Sequence, residues 1–559
     1  MERCESAKRG EWILRCMVFF AAVYTFCVIL DPFFFDYRPL YLPLRQLYGC
    51  LLAGGVLYVC VRLRCVGMIL YACFAVLSAG LFYAYKNFGY SVGFELISAV
   101  VETNSHELSG FVSYAFCQAL VGYIIAITLI YAAAVFSLKW KKFTVRQFLS
   151  VVCVIVVWSF LYQIPAYVLS RHHGIYLRLV DNTLRNNREW FMGGAMTHPD
   201  VAYNRWRLPY SNLAAIFNGV QEYRREIPVV DSGDYASVDT RRGEPLVFIL
   251  VIGESVRADH IPAGGYTRNT MPICTREPNI CYYKNMYSYA ATTHSSVKGL
   301  LAGFVNDKSR KIRTSWASIL KQHGYVCNLY SEDTENITDS RLFHNILGRY
   351  MEKCQVCRMP IMEVARKVSR EIEERSEERQ FVIIENGTGH YPYINEDQYD
   401  VYHPCNVEWL APRPDNFKEL LINDYDNCIV SVDSFLGGLI NALRYKNAVV
   451  LYVSDHGQYL GESGKFLHGD NENELLRHVA AFIWFSDEYE RRHPELVAEM
   501  KSVKDKLLVH GQIYATVLRL CGIENEVPLD IGDFVDGDVR EVEHNLPKSL
   551  NVPSRKGVK

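Results

Sequence analysis

Leu246-Val247-Phe248-Ile249-Leu250-Val251-Ile252 is seven apolar residues in a row, four of them β-branched, and it runs straight into Gly253-Glu254-Ser255-Val256-Arg257. A continuous apolar run of this length, closed by turn residues, reads as a strand buried on both faces. Comparable runs occur at 326–330, 381–384, 449–454 and 480–485, with helix-like segments between them. Buried strands alternating with helices predict an α/β domain built on a largely parallel sheet covered by helices. In such sheets ligands gather at the carboxyl ends of the strands.

Three of these runs deliver polar clusters to that edge. The first leads to Glu254. The run at 381–384 leads into Gly387-Thr388-Gly389-His390-Tyr391-Pro392. The run at 449–454 ends in Asp455-His456-Gly457-Gln458, followed by Gly461-Glu462-Ser463-Gly464 and Leu467-His468-Gly469. One Glu, one Asp-His pair and two further His residues at one sheet edge form a candidate metal site of oxygen and nitrogen ligands. Carboxylate and imidazole without thiolate suit zinc, with manganese as the alternative. A single His after a strand is more often a loop hydrogen-bonder than a ligand, so the weight rests on their convergence.

Upstream the chain obeys a different solvent. Charge all but vanishes at 16–30, 46–61, 65–85, 108–138 and 147–170. A membrane-spanning helix needs about 20 mostly apolar residues. The last three runs meet that unaided, and the first does so from Trp12 if Arg15 snorkels. The second is short and carries Gly54 and Gly55. Basic residues cluster at Arg3, Lys8, Arg9 and Arg15, at Arg62 and Arg64, and at Lys139, Lys141, Lys142 and Arg146. These clusters alternate with five spans and place themselves on the cytoplasmic side. The expected plan is therefore a bundle of five transmembrane helices over 1–170, with no small-x-small cleavage site by the first run. An amphipathic linker over 171–243 would lie along the bilayer, followed by an extracytoplasmic domain over 244–545 and a tail over 546–559.

The composition agrees. The chain has 559 residues, half of them apolar, with 59 Lys+Arg against 61 Asp+Glu. That excludes a disordered chain and gives no global case for nucleic-acid binding. Nine of the 17 cysteines precede residue 154 and read as small apolar packing groups in or beside the spans. In an oxidising compartment the near pairs Cys274/Cys281 and Cys354/Cys357 are candidate disulfides. The sequons at Asn336 and Asn386 would matter only in a eukaryotic secretory pathway.

Gly253-Glu254-Ser255-Val256-Arg257, with Gly265-Tyr266-Thr267-Arg268-Asn269-Thr270-Met271-Pro272, resembles the opening motif of the phosphoethanolamine transferases. These are membrane-anchored members of the alkaline phosphatase/sulfatase superfamily. Asp455-His456-Gly457, with Gly461-Glu462 and Leu467-His468-Gly469, is similar to that family's C-terminal metal motif. Asn423-Asp424-Tyr425-Asp426-Asn427, followed by Val432-Asp433, resembles its helix before the last metal strand. Five spans followed by a periplasmic catalytic domain is also the family plan.

The resemblance implies a threonine nucleophile at a helix N-terminus. In Tyr289-Ala290-Ala291-Thr292-Thr293-His294-Ser295-Ser296, Thr293 fits the superfamily spacing, with Thr292 as the other register and simple N-capping as the alternative role. Glu254, Asp455 and His456 would hold the cation with Thr293 as fourth ligand, and the cation would stabilise the threonine alkoxide. His390 and His468 would bind a second metal or the substrate phosphate. Thr103 and Glu107, four apart before the fourth span, match positions that contact the lipid headgroup. The chain departs from the family at Glu385-Asn386, where a His-containing run is more common, at Gln458, where Glu is frequent, and at Ala99, where Asn is expected. The implied activity is transfer of phosphoethanolamine from phosphatidylethanolamine to a periplasmic acceptor, lipopolysaccharide above all, at a bacterial inner membrane. A sulfatase-like hydrolase, a glycerolphosphate transferase and a non-catalytic lipid-binding regulator are the alternatives.

Overall fold

The computed structural model describes residues 2–30, 54–55, 57–88, 96–97, 100–101, 114–138, 220–221, 229–303, 312–331, 341–393, 396–408, 412–471, 473–527 and 532–537. The chain divides into two compact units, Met1–Ile97 with Phe111–Arg224, and Ser98–Gly110 with Arg225–Lys559.

In the first unit, helices α1 (Glu2–Leu30), α2 (Arg64–Phe88) and α3 (Tyr114–Leu138) form over the first, third and fourth apolar runs. They share a small core of Ala22, Val23, Tyr71, Ile127, Ile130 and Ala134. Much of their remaining surface is apolar and exposed, including Met17, Phe20, Ile69, Leu70, Ile125 and Leu129. A water-soluble helix does not show that pattern. Among the described residues one helix, Phe116–Leu138, is long and apolar enough to cross a membrane. Most of the second run and all of the fifth lie outside the described residues. Arg15 is held by Glu11 at 2.8 Å and donates to the Phe136 carbonyl at 2.7 Å, which neutralises the one charge within the first run.

The second unit is an α/β domain. Its labelled helices are α4 (Thr293–Ala302), α5 (Ile361–Glu374), α6 (Phe417–Leu443) and α7 (Ile513–Leu520). Its main sheet has seven strands: β1 (Val247–Gly253), β2 (Ile280–Tyr282), β3 (Tyr325–Ser331), β4 (Lys353–Val356), β5 (Arg379–Asn386), β6 (Ala448–Ser454) and β7 (Ala481–Phe485). The order is β2-β7-β6-β1-β5-β3-β4. Strands β6, β1, β5, β3 and β4 run parallel to one another, whereas β7 is antiparallel to both β6 and β2. The sheet is thus largely parallel with one reversed strand.

The alternation along β1 explains its position. Phe248, Leu250 and Ile252 enter a core with Val297, Leu300 and Leu301 of α4 and Val517 and Leu518 of α7. Val247, Ile249 and Val251 point to the other face and are equally buried. Burying each such side chain contributes roughly 1.5–3 kcal/mol, so a central strand of this composition stays dry on both sides. The register pairs Gly253 with Ser454 on one side and with Asn386 on the other. The three strands therefore end level, and the residues after them share one edge.

Both candidate disulfides are corrected: Cys274, Cys281, Cys354 and Cys357 are free thiols. Cys354 lies in extended β4 with Cys357 just beyond, and three residues of strand span about 10 Å, too far for a disulfide's Cα separation of roughly 4.4–6.8 Å. Cys274 is drawn to Asp433, while Cys281 faces the Met500 carbonyl.

Candidate active site

Glu254, Thr293, Asp455, His456, His390 and His468 converge at the shared strand edge. Thr293 is the first residue of α4, and its hydroxyl lies 3.3 Å from Glu254 Oε2 and 3.2 Å from His456 Nε2. Thr292 holds the N-cap position and makes no side-chain capping bond. The geometry thus puts Thr293 against the acidic and imidazole groups. The N-terminus of α4 adds backbone N–H groups that have no intrahelical acceptor and a favourable dipole for an anion. Thr103 and Glu107 lie outside the described residues.

Glu254, His456 and His468 each offer a ligand atom, and these atoms lie within 4.8 Å of one another. Asp455 stands beside them. Its Oδ1 accepts the backbone N–H groups of Ser255 at 3.0 Å and His456 at 2.6 Å. Its Oδ2 is buried, accepts no hydrogen bond among the described residues, and lies 3.3 Å from His456 Nε2. An orphaned carboxylate oxygen beside a second carboxylate and two imidazoles is the donor set of a zinc or manganese site. The residues present fit such a cation.

The charges are strongly perturbed. Burial, and then the charge of Glu254, push the Asp455 carboxyl well above its ordinary range. Burial works against the Glu254 carboxylate too, but the neighbouring His456 and His390 rings and the Ser255 hydroxyl leave it below its usual value. Burial holds His456 down, and burial with the adjacent His456 ring drives His468 well down. Neutral imidazoles are the form that binds metal.

A second layer of side chains orients these groups. Ser255 sits in the left-handed region with φ 61°, a strained position for a non-glycine residue, and its hydroxyl donates to Glu254 Oε1 at 2.6 Å. The Gln458 amide donates to the Tyr393 hydroxyl, and its Oε1 is 3.2 Å from His468 Nδ1. An amide oxygen only accepts, so Nδ1 of His468 carries the proton and its lone pair is on Nε2. On the α4 side, Ser296 donates to the Asp455 carbonyl, and the buried His510 links Ser296 Oγ at 3.2 Å to the Ser454 carbonyl at 3.0 Å.

The helix motif around Asn423 has a clamping role. Tyr425 donates to the Ser255 carbonyl at 2.7 Å and accepts from the Arg257 N–H at 2.9 Å. Asp426 receives His260, Tyr266 and Arg268 at 2.7–2.8 Å. Asp433 accepts the N–H groups of Ile273 and Cys274. Helix α6 thereby fixes the long loop after β1. In the sequence these residues carry no stated role, Ser255 and Ser296 stand only as members of motifs, and Tyr393 and His510 are not marked at all. Buried serines, a tyrosine and a lone histidine carry no signal by residue type, and most of their partners come from other elements.

Residues 247–523 match the family model Sulfatase, so the class is a sulfatase-like α/β domain with a metal-type site at the strand edge. Residues 50–178 match the model Phosphoethanolamine transferase EptA/EptB. With the two in tandem, the chain belongs to the phosphoethanolamine transferase family of the alkaline phosphatase/sulfatase superfamily. The Kdo(2)-lipid A phosphoethanolamine 7''-transferase of Salmonella typhimurium is 25% identical over 306 residues, covering 52% of this chain and 54% of the relative. Phosphoethanolamine transferase EptC of Escherichia coli is 22% identical over 455 residues, covering 77% and 75%. The chain thus spans about half the length of the first curated relatives it matches, with 54% and 51% of them covered. The integral membrane lipooligosaccharide phosphoethanolamine transferase A of Neisseria meningitidis shares the fold, with TM-score 0.67 and 20% identity over 92% of this chain and 96% of that one.

Proposed function

We propose that the protein is a metal-dependent enzyme that transfers phosphoethanolamine from phosphatidylethanolamine to lipopolysaccharide on the periplasmic side of a bacterial inner membrane. The reading rests on one observation: the Thr293 hydroxyl, at a helix N-terminus, lies within 3.3 Å of Glu254 and His456. The names of the relatives support phosphoethanolamine as the group moved and lipid A as the class of acceptor. Five spans over 1–170 would anchor the catalytic part, with Thr103 and Glu107 as headgroup contacts and His390 toward the substrate phosphate.

Glu254, Asp455, His456 and Thr293 would hold the cation, with His468 within reach of the same site. A zinc or manganese ion there supplies positive charge that favours the threonine alkoxide over the alcohol. Thr293 Oγ attacks phosphorus and its bond to the glycerol oxygen breaks. Diacylglycerol leaves carrying the proton that Thr293 lost, and phosphoethanolamine is esterified to Thr293. An acceptor oxygen then attacks the same phosphorus, the bond to Thr293 Oγ breaks, and the hydroxyl is restored. The α4 N-terminus favours the negative charge in both halves.

The test is mass spectrometry of envelope lipids from cells expressing the full chain or Thr293→Ala at equal levels. Phosphoethanolamine-modified lipid A or core with the first and not the second supports the reading. Acceptor-independent release of free phosphoethanolamine overturns transfer in favour of hydrolysis.

A further inference from the structure

Strand β5 ends in a residue that the proposed chemistry leaves unused. Asn386 is fully buried, and its register partner on β1 is Gly253, so it stands beside the turn that carries Glu254. Its Oδ1 accepts the Thr388 N–H at 3.0 Å. Only the oxygen of an amide can accept, so this bond fixes which way the group faces. Its Nδ2 is then a buried donor with no acceptor among the described residues. Native structures leave few such groups, and each calls for an explanation.

The surroundings supply one. Asn386 lines a cavity with Glu254, Thr293, Glu385, His390 and Asp455. Its volume, about 20 Å³, is room for one oxygen atom. The three carboxylates in that lining are acceptors when ionised, whereas the Asn386 amide is a neutral donor, suited to an oxygen ligand. Thr293, the first residue of α4, lines the same space, and a helix N-terminus favours negative charge there.

We infer that Asn386 is a substrate-binding residue whose amide donates to a non-bridging oxygen of the phosphoryl group poised over Thr293. The ligand class is a phosphate ester or orthophosphate. The inference rests on reading Thr293 as the phosphoryl-accepting residue and deepens it by naming the donor that holds the transferred group. It also gives a role to the departure at Glu385-Asn386.

The test uses full-length protein in detergent and the substitution Asn386→Asp, which keeps the acceptor for Thr388 and removes the donor. Binding of inorganic phosphate is followed by calorimetry, and transfer from phosphatidylethanolamine is followed separately as kcat and KM. The expected result is phosphate binding weaker by about 10- to 100-fold, with a fall of similar size in kcat/KM and an unchanged melting temperature. Wild-type phosphate affinity and kcat/KM in Asn386→Asp overturn the inference and leave the amide serving its turn alone. If Asn386→Asp melts early, Asn386→Ser, whose hydroxyl can also accept the Thr388 N–H, carries the same comparison. Weakened phosphate binding in a chain that transfers nothing from phosphatidylethanolamine sustains the role of Asn386 and removes that lipid as donor.

Discussion

Arg257 and Glu462 form a 2.6 Å ion pair across 205 residues of chain, joining the turn after β1 to the loop after β6. The same guanidinium donates to the Gln458 carbonyl at 3.0 Å and grips Asp259 with two bonds of 2.6 and 2.8 Å. A buried planar fork with four anchored acceptors fixes the backbone on which both Glu254 and His456 are mounted.

Replacing Arg257 by Met keeps the length of the side chain and removes the fork. Asp259 and Glu462 are partly solvated, so the loss is smaller than for a wholly buried pair. The expected cost is about 2 kcal/mol, read as a lower melting temperature of the full-length protein. Arg257→Lys restores the charge without the two-pronged geometry and is expected to fall between the two.

The electrostatics of Glu254, Asp455, His456 and His468 predict a cation requirement. Dialysis against a chelator should lower the melting temperature, and zinc at about 100 times its dissociation constant should restore roughly 2.7 kcal/mol of stability. Glu254→Gln and His456→Ala should abolish that gain while the fold persists. A chelated wild type that melts as before, and gains nothing from zinc or manganese, would remove the cation from the reading.

A methyl group at Gly389 would run into the Glu254 carbonyl oxygen. Backbone cannot yield as a flexible side chain does, so Gly389→Ala should push the His390 turn away from the Glu254 turn. The expected cost is about 1–3 kcal/mol, with a loss of zinc per chain measured by atomic emission. Unchanged zinc content would show that the two turns move independently.

The strand runs at 246–252, 381–384 and 449–454 were legible because an uninterrupted β-branched stretch has few other stable fates. From their ends, the meeting of Glu254, Asp455 and His456 followed from the rule for parallel sheets. The reversal of β7 was not legible, since composition does not record direction. Nor was β4, which presented itself as Cys354-Gln-Val-Cys357 and turned out to be an edge strand with free thiols. The role of α6 also escaped, because the acceptors that Asp426 and Asp433 offer are filled from a loop some 160 residues away.

His510 predicts a pH dependence that belongs to the fold as well as the site. Burial lowers its pKa to about 3, against about 6.5 in an unfolded chain. The folded state therefore holds the neutral ring while the unfolded chain protonates. The resulting stability is fully present above pH 6.5 and is lost as pH falls from there toward 3. Between pH 7 and 5 the loss is about 2 kcal/mol from this one group. The neutral ring donates from Nε2 to the Ser454 carbonyl and sets its Nδ1 3.2 Å from Ser296 Oγ, so charging it in acid should disturb the place where α4 meets the end of β6 before the sheet itself fails. His510→Asn, which cannot titrate, should start less stable at pH 7 and show a slope with pH shallower by that amount. Chemical denaturation of the full-length protein at pH 5, 6 and 7 reads both. Equal slopes in the two proteins would mean that the ring titrates alike in the folded and unfolded states, and that burial does not hold it neutral.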